Sequence, residues 1–200
     1  MPLIYPAIPE DVERAFRSGL AELIEIGWVP TGLPLGRPAG RPLEVWVLDL
    51  RHLMDETDIN KTAKFVQWQY LVGRMRARKG SPHQTHRAFA IDIECPRGKR
   101  YPRITGLERG PHVADVFEEL KDLQRRHSLR SDEYLLRRLR IPALASVFWL
   151  KGSANGEDLV VPYHCVTRKL RLMQIYRIEQ FLAIMKPLAM QALKGPAPAK

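Results

Sequence analysis

A chain of 200 residues can bury a sizeable core, and 45% hydrophobic with 27% charged residues is the balance of a folded domain, not of a disordered or fibrous chain. No apolar run reaches the roughly 18 residues of a membrane-crossing helix. The opening MPLIYPAIPEDVERAF turns acidic without the basic start and apolar centre of a secretory leader, so a cytoplasmic protein is expected. The net charge of +10 is unevenly spread: residues 1–60 carry 5 Lys/Arg against 10 Asp/Glu, a balance of −5, and residues 61–200 carry 27 against 12, or +15. A basic surface of that kind attracts phosphate backbones, anionic lipids or acidic protein surfaces. Cys95 and Cys165 form no CxxC pair and no disulfide framework, and read as buried thiols.

Taken in chain order, Val12, Phe16, Leu20 and Leu23 recur at helical spacing and predict a helix over 9–26, with Glu10 and Asp11 at its positive end. Residues 31–42, TGLPLGRPAGRP, are too rich in Gly and Pro for regular structure and lack the GK[ST] ending of a phosphate-cradling loop. LEVWVLDL (43–50) is apolar on both faces and predicts a strand in a covered sheet. From 58 to 78, Asp58 as a cap, a stripe of Ile59, Ala63, Val66 and Tyr70, and terminal Arg74, Arg76, Arg78 and Lys79 predict a second helix.

A strand is expected over 87–95, followed by a second basic cluster in PRGKRYPR. Val113, Val116, Phe117, Leu120 and Leu123 form the most regular helical stripe in the chain, over 112–127. SDEYLLRRLR (131–140), opening on Ser131 and closing in arginines, reads as a shorter helix. Residues 143–165 read as two strands joined by a tight turn at Asn155-Gly156. A last helix is expected over 167–185, with apolar residues around so much of its circumference that it needs two neighbours, one of which can be a second copy of the chain. The order αβαβααββα predicts a single α+β domain over 1–194, with a mixed or antiparallel sheet of about four strands and helices on at least one face, and a flexible tail over 195–200.

The stretch FAIDIEC (89–95) carries the one candidate for catalysis. Side chains alternate along a strand, so Phe89, Ile91, Ile93 and Cys95 form a core face while Ala88, Ala90, Asp92 and Glu94 point the other way. Two carboxylates so placed can converge on a divalent cation of the kind that supports phosphodiester cleavage. Locally, FAIDIEC resembles the first motif of the DEDD family of 3′-to-5′ exonucleases. The resemblance implies that Asp92 and Glu94 are metal ligands, with Mg²⁺ or Mn²⁺ as cofactor. That family also needs two later aspartates. Asp115, or Asp49 earlier in the chain, is a candidate third acid, but HSLRSDEY sets its His and Asp five apart where the family has four.

No nucleophile elbow, dinucleotide fingerprint or complete catalytic set is present. The reading that follows is a non-catalytic binding or assembly protein, with no cofactor, whose basic surface engages an anionic partner, either nucleic acid or an acidic protein. Its contacts are expected from Lys61, Lys64, Arg74, Arg76, Arg78, Lys79, Arg97, Lys99, Arg100 and Arg103. The alternatives are a metal-dependent nuclease using Asp92 and Glu94, and an oligomeric structural or adaptor protein that self-associates through its C-terminal helix.

Overall fold

A computed structural model describes residues 3–31, 42–55, 58–74, 87–95, 101–110, 133–152 and 157–195, together with Val113, Val116, Glu119, Leu120, Asp122 and Leu123. The elements are α1 (Glu10–Glu25), β1 (Leu43–Val47), α2 (Leu50–Asp55), α3 (Ile59–Thr62), β2 (Lys64–Arg74), β3 (Arg87–Glu94), β4 (Arg103–Arg109), β5 (Tyr134–Ile141), β6 (Ala145–Gly152), β7 (Leu159–Cys165), β8 (Tyr176–Arg177) and α4 (Ile178–Leu193). The strands follow the hydrogen-bonded order β4-β3-β2-β1-β5-β6-β7-β8 in one mixed sheet. The expectation of about four strands with helices on at least one face is therefore corrected: the fold is strand-rich, with eight strands and few helices.

Two predicted helices are strands, and each error has a physical cause. In β2, KFVQWQYLVGR, the β-branched and aromatic residues that mimicked a helical stripe alternate in two-residue steps. Trp68, Tyr70 and Val72 fall on one face, and Gln67, Gln69 and Leu71 on the other. Antiparallel pairing with β3, from Gln67 opposite Glu94 to Arg74 opposite Arg87, supplies the hydrogen bonds a helix would have made. In β5, YLLRRLRI sits between β1 and β6 and is apolar on both faces, a pattern that period alone cannot tell from a helix. The strand β4 and the short helix α2 were not expected. The predicted helix over 9–26, the strands at 43 and 87, and the hairpin strands appear close to their expected places. Val113, Val116, Leu120 and Leu123 are helical and buried as the stripe predicted, and residues 153–156 lie outside the described set.

By the density of internal contacts the chain falls into two compact units, one of residues 7–43 and 67–122, the other of residues 1–6, 44–66 and 123–200. In the first, α1 buries Val12, Phe16, Leu20 and Leu23. Phe16 stacks on Tyr70 with ring centroids 3.8 Å apart and planes within 5°. Gly19 lets the helix approach β4, because a Cβ there would overlap the Ile104 side chain. The Tyr70 hydroxyl is buried with no hydrogen-bond partner among the described residues. Burial, and after it the charge of Glu13, pushes the phenol well above its usual range.

In the second unit, β1 runs parallel to β5, and β5, β6 and β7 are successively antiparallel, so β1, β5 and β7 all point the same way. One face carries Leu139, Val147, Trp149 and Val160 against Leu53 of α2 and Phe181, Leu182, Met185 and Ala189 of α4. On the opposite face Arg138 is buried and its Nε donates to the Tyr163 hydroxyl. Residues 167–175, expected to be helical, form a loop in which Met173 adopts φ 60° and its N–H donates to the Pro162 carbonyl at 2.7 Å. The helix starts only at Ile178. Several of the apolar residues that made it look wide, Leu170, Leu172, Met173 and Ile175, belong to the loop, so one neighbouring core suffices for the helix itself.

At the start of β1, Glu44 Oε2 lies 2.7 Å from Arg137 Nε of β5. That nitrogen is not aligned for a hydrogen bond, so the contact is ionic. The guanidinium lies 4.4 Å from the Trp46 ring and 5.1 Å from the Trp149 ring, while Trp46 Nε1 donates to Glu44 Oε2 at 2.9 Å. Both charged side chains are mostly buried, 13% and 16% exposed. Arg137→Ala is expected to lower unfolding free energy by about 2–4 kcal/mol, because it strands Glu44 and removes both ring contacts. Tyr70→Phe, which deletes only an unpartnered hydroxyl, is expected to be neutral or stabilising by up to about 1 kcal/mol. Urea denaturation of both variants at constant m-value checks the opposite signs.

Candidate functional site

The two carboxylates of FAIDIEC do not share an environment. Asp92 is 8% exposed, and its Oδ1 accepts a 2.7 Å hydrogen bond from Gln69 Nε2, which is itself fully buried on β2. On its other side β4 places Gly106 opposite Asp92, where a Cβ would come within 3.2 Å of Oδ2. Glycine is what lets the carboxyl fit between the strands. A register shift follows between Asp92 and Ile93, and Glu94 emerges half-exposed, 3.8 Å from Arg103 Nη2. No group of three or more His, Cys, Asp or Glu placed to hold a metal occurs among the described residues. Asp115 lies outside that set. Asp49 serves α2 instead, its Oδ1 accepting the Arg51 N–H at 2.8 Å. Cys95 and Cys165 are free and half-buried, less enclosed than expected. Burial, reinforced by Asp11, pushes the Cys95 thiol up and makes it a poor nucleophile at neutral pH.

Of the ten cations expected to form a binding surface, Lys61, Lys64, Arg74 and Arg103 fall among the described residues. Lys61 lies on α3 and is ion-paired with Asp58 at 3.5 Å. Lys64 and Arg103 are exposed at the first positions of β2 and β4. Arg74 ends β2, not a helix, so the dipole argument for Arg74, Arg76, Arg78 and Lys79 does not apply. Arg76, Arg78, Lys79, Arg97, Lys99 and Arg100 lie outside the described residues.

A different set of cations is collected by the topology of the second unit. Because β1, β5 and β7 share a direction, their C-terminal ends meet at one end of that part of the sheet. Leu48 N–H bonds the Arg140 carbonyl at 3.0 Å, and Val166 N–H bonds the Leu144 carbonyl at 3.0 Å. Residues 47–55, 139–147 and 163–172 contain five Arg/Lys (Arg51, Arg140, Arg168, Lys169, Arg171) and two His (His52, His164) against two acids, Asp49 and Asp55. Arg51, Arg168, Lys169 and Arg171 are exposed and make no ion pair among the described residues. The loop that carries three of them is fastened at several points. Leu170 is anchored in the core, Lys169 N–H bonds Thr167 Oγ1 at 3.2 Å, and Arg171 N–H bonds the Tyr176 hydroxyl at 2.9 Å. Reading 167–185 as a helix hid this loop.

The opposite end of the same strands is acidic. A cleft of about 340 Å³ is lined by Asp58, Ile59, Asn60, Glu157, Asp158, Ile178 and Glu179. Its acids are mostly engaged: Asp158 accepts from Trp149 Nε1 at 2.9 Å, Asn60 Nδ2 at 3.2 Å and the Gly152 N–H at 3.0 Å, and Glu157 pairs with Arg177 at 3.0 Å. The Asn60 N–H, followed by Lys61, holds the Asp58 carboxyl below its usual range. At about 3.3 Å per residue, the six steps from Leu159 to Cys165 hold the two ends about 20 Å apart. That exceeds the roughly 8–10 Å over which salt leaves charges visible to one another, so the acids do not neutralise the basic end.

If the Asp92 carboxylate is structural, Asp92→Ala should cost about 1–3 kcal/mol by depriving Gln69 Nε2 of this acceptor, and Gly106→Ala should cost about 1–2 kcal/mol by crowding it. Thermal denaturation of both variants measures this. Stability unchanged in Asp92→Ala would show that the buried hydrogen bond contributes nothing.

Comparison with family models, with curated proteins and with solved structures returned no match.

Proposed function

We propose that this protein is a non-catalytic, cytoplasmic binding or assembly protein that holds an anionic macromolecule, nucleic acid or an acidic protein surface, against exposed cations. The observation that supports the reading is at the C-terminal ends of β1, β5 and β7, where Arg51, Arg168, Lys169 and Arg171 are exposed and make no ion pair among the described residues. Elsewhere the described cations are often used internally: Lys61 on Asp58, Arg137 on Glu44, Arg177 on Glu157. The cations left over are the ones a partner can use. The loop's fastened backbone means that little ordering entropy is lost when a partner binds.

An adaptor or self-associating role has one observation in its favour. Met190 and Leu193, near the end of α4, are each 46% exposed, whereas Ile178, Phe181, Leu182, Met185 and Ala189 of the same helix are buried. Light scattering coupled to size exclusion reads this out directly: Met190→Ser/Leu193→Ser should convert a dimer to a monomer, and a monomeric wild type removes the reading.

For the anionic partner, four cations contacting phosphates predict a slope of about −3 to −4 in log K against log salt on duplex DNA, hence roughly 100-fold weaker binding from about 50 to about 200 mM salt. Fluorescence anisotropy with a random-sequence duplex, an RNA of equal length and polyglutamate measures it. Failure of all three to bind at low salt would end the proposal, and binding to polyglutamate alone would assign the partner as an acidic protein.

A further inference from the structure

The loop between β7 and β8 exposes more than charge. Val166 is 57% exposed and Leu172 is 53% exposed, and between them stand Arg168, Lys169 and Arg171, all exposed, with Leu170 buried as the anchor. Pro142 and Ala143 of the β5–β6 turn, also exposed, lie beside them, because Val166 is bonded to the Leu144 carbonyl. No exposed aromatic side chain occurs on the loop; the nearest ring, Tyr176, is half-buried with its hydroxyl accepting the Arg171 N–H.

Each of these features discriminates among anionic partners. Single-stranded nucleic acid is held by stacking bases on aromatic rings, which this loop does not offer. Duplex nucleic acid is contacted through its phosphates by polar and charged groups, and gives aliphatic side chains little to do. An anionic bilayer uses both parts at once. Lys and Arg pair with headgroup phosphates and carboxylates, and short aliphatic side chains enter the boundary of the acyl region. Within the loop the N–H groups of Val166, Lys169 and Arg171 are held by the Leu144 carbonyl, Thr167 Oγ1 and the Tyr176 hydroxyl, which fixes the loop's shape before it meets a surface.

We propose that the 166–172 loop is a peripheral membrane-docking element that seats the C-terminal ends of β1, β5 and β7 on an anionic lipid surface. It shares its cations with the anionic-partner reading but rests on Val166 and Leu172, which that reading does not need. No helix among the described residues is long and apolar enough to cross a membrane, so the contact is one of resting on the surface. Arg51 and the exposed His52 and His164 lie at the same end of the strands as the loop.

The test is flotation of the full chain with vesicles of pure phosphatidylcholine and with vesicles of mixed phosphatidylcholine and phosphatidylserine, beside anisotropy on duplex DNA. The proposal expects association with the phosphatidylserine vesicles alone. It expects a loss of about tenfold in partitioning for Val166→Ser/Leu172→Ser, with DNA binding unchanged, and a larger loss for Arg168→Glu/Lys169→Glu. All four positions are exposed, so unchanged melting temperatures confirm that the variants remain folded. Three results would overturn it: no association with anionic vesicles, equal association with neutral ones, or association that Val166→Ser/Leu172→Ser leaves intact. DNA binding without vesicle binding overturns this inference and leaves the anionic-partner reading standing, whereas loss of DNA and polyglutamate binding with vesicle binding retained does the reverse.

Discussion

The register of β1 against β5 is the constraint on which the second unit of the chain depends. Glu44 and Arg137 are direct neighbours across a parallel pair, and the guanidinium is held both by that carboxylate and by the faces of Trp46 and Trp149. A slip of one residue would carry Arg137 to the opposite face of the sheet, among Leu136, Phe148 and Val161, away from Glu44 and the two indole rings. A mostly buried ion pair contributes little net stability after desolvation, but it makes wrong registers costly. Once this register holds, Leu139, Val147, Trp149 and Val160 line up under α2 and α4, and β5, β6 and β7 continue from it as antiparallel neighbours.

The shared direction of β1, β5 and β7 then sorts charge. Their N-terminal side gathers Glu44, Asp58, Glu157, Asp158 and Glu179, largely bonded to one another's neighbours through Trp149, Asn60, Lys61 and Arg177. Their C-terminal side gathers Arg51, Arg168, Lys169 and Arg171 with few acids to quench them. Three of the cations beyond residue 60, Arg168, Lys169 and Arg171, are collected at this end by strand direction. The carboxylate pair of FAIDIEC follows a different logic: Asp92 is enclosed by Gln69 and Gly106, and Glu94 is turned outward to Arg103, so the strand holds its neighbours together and gathers no metal-ligand set.

Legibility in the sequence tracked how far each residue pattern was unique to one structure. The stripe of Val12, Phe16, Leu20 and Leu23 has only a helical solution, and α1 buries those four residues. The alternation in FAIDIEC has only a strand solution, and its Phe89, Ile91 and Ile93 are buried as read. YLLRRLRI and FVQWQYLV bury residues from both faces, and a two-sided apolar run satisfies helix and strand periodicity equally; partners far along the chain decided them. The anionic-partner candidates near Lys61 were chosen by clustering along the chain, whereas the loop at 168–171 is recognisable only after β7, β8 and the φ of Met173 exclude a helix there.

The central claim is that the end of the sheet where β1, β5 and β7 finish is the surface that meets an anionic partner. Retention on a polyanionic heparin column tests it most directly, by comparing two single charge reversals of equal size, Arg168→Glu at that end and Lys61→Glu beside the acidic cleft. The account predicts that Arg168→Glu elutes at clearly lower salt than the wild type while Lys61→Glu elutes close to it. Equal shifts in the two variants, or a larger shift for Lys61→Glu, would contradict it.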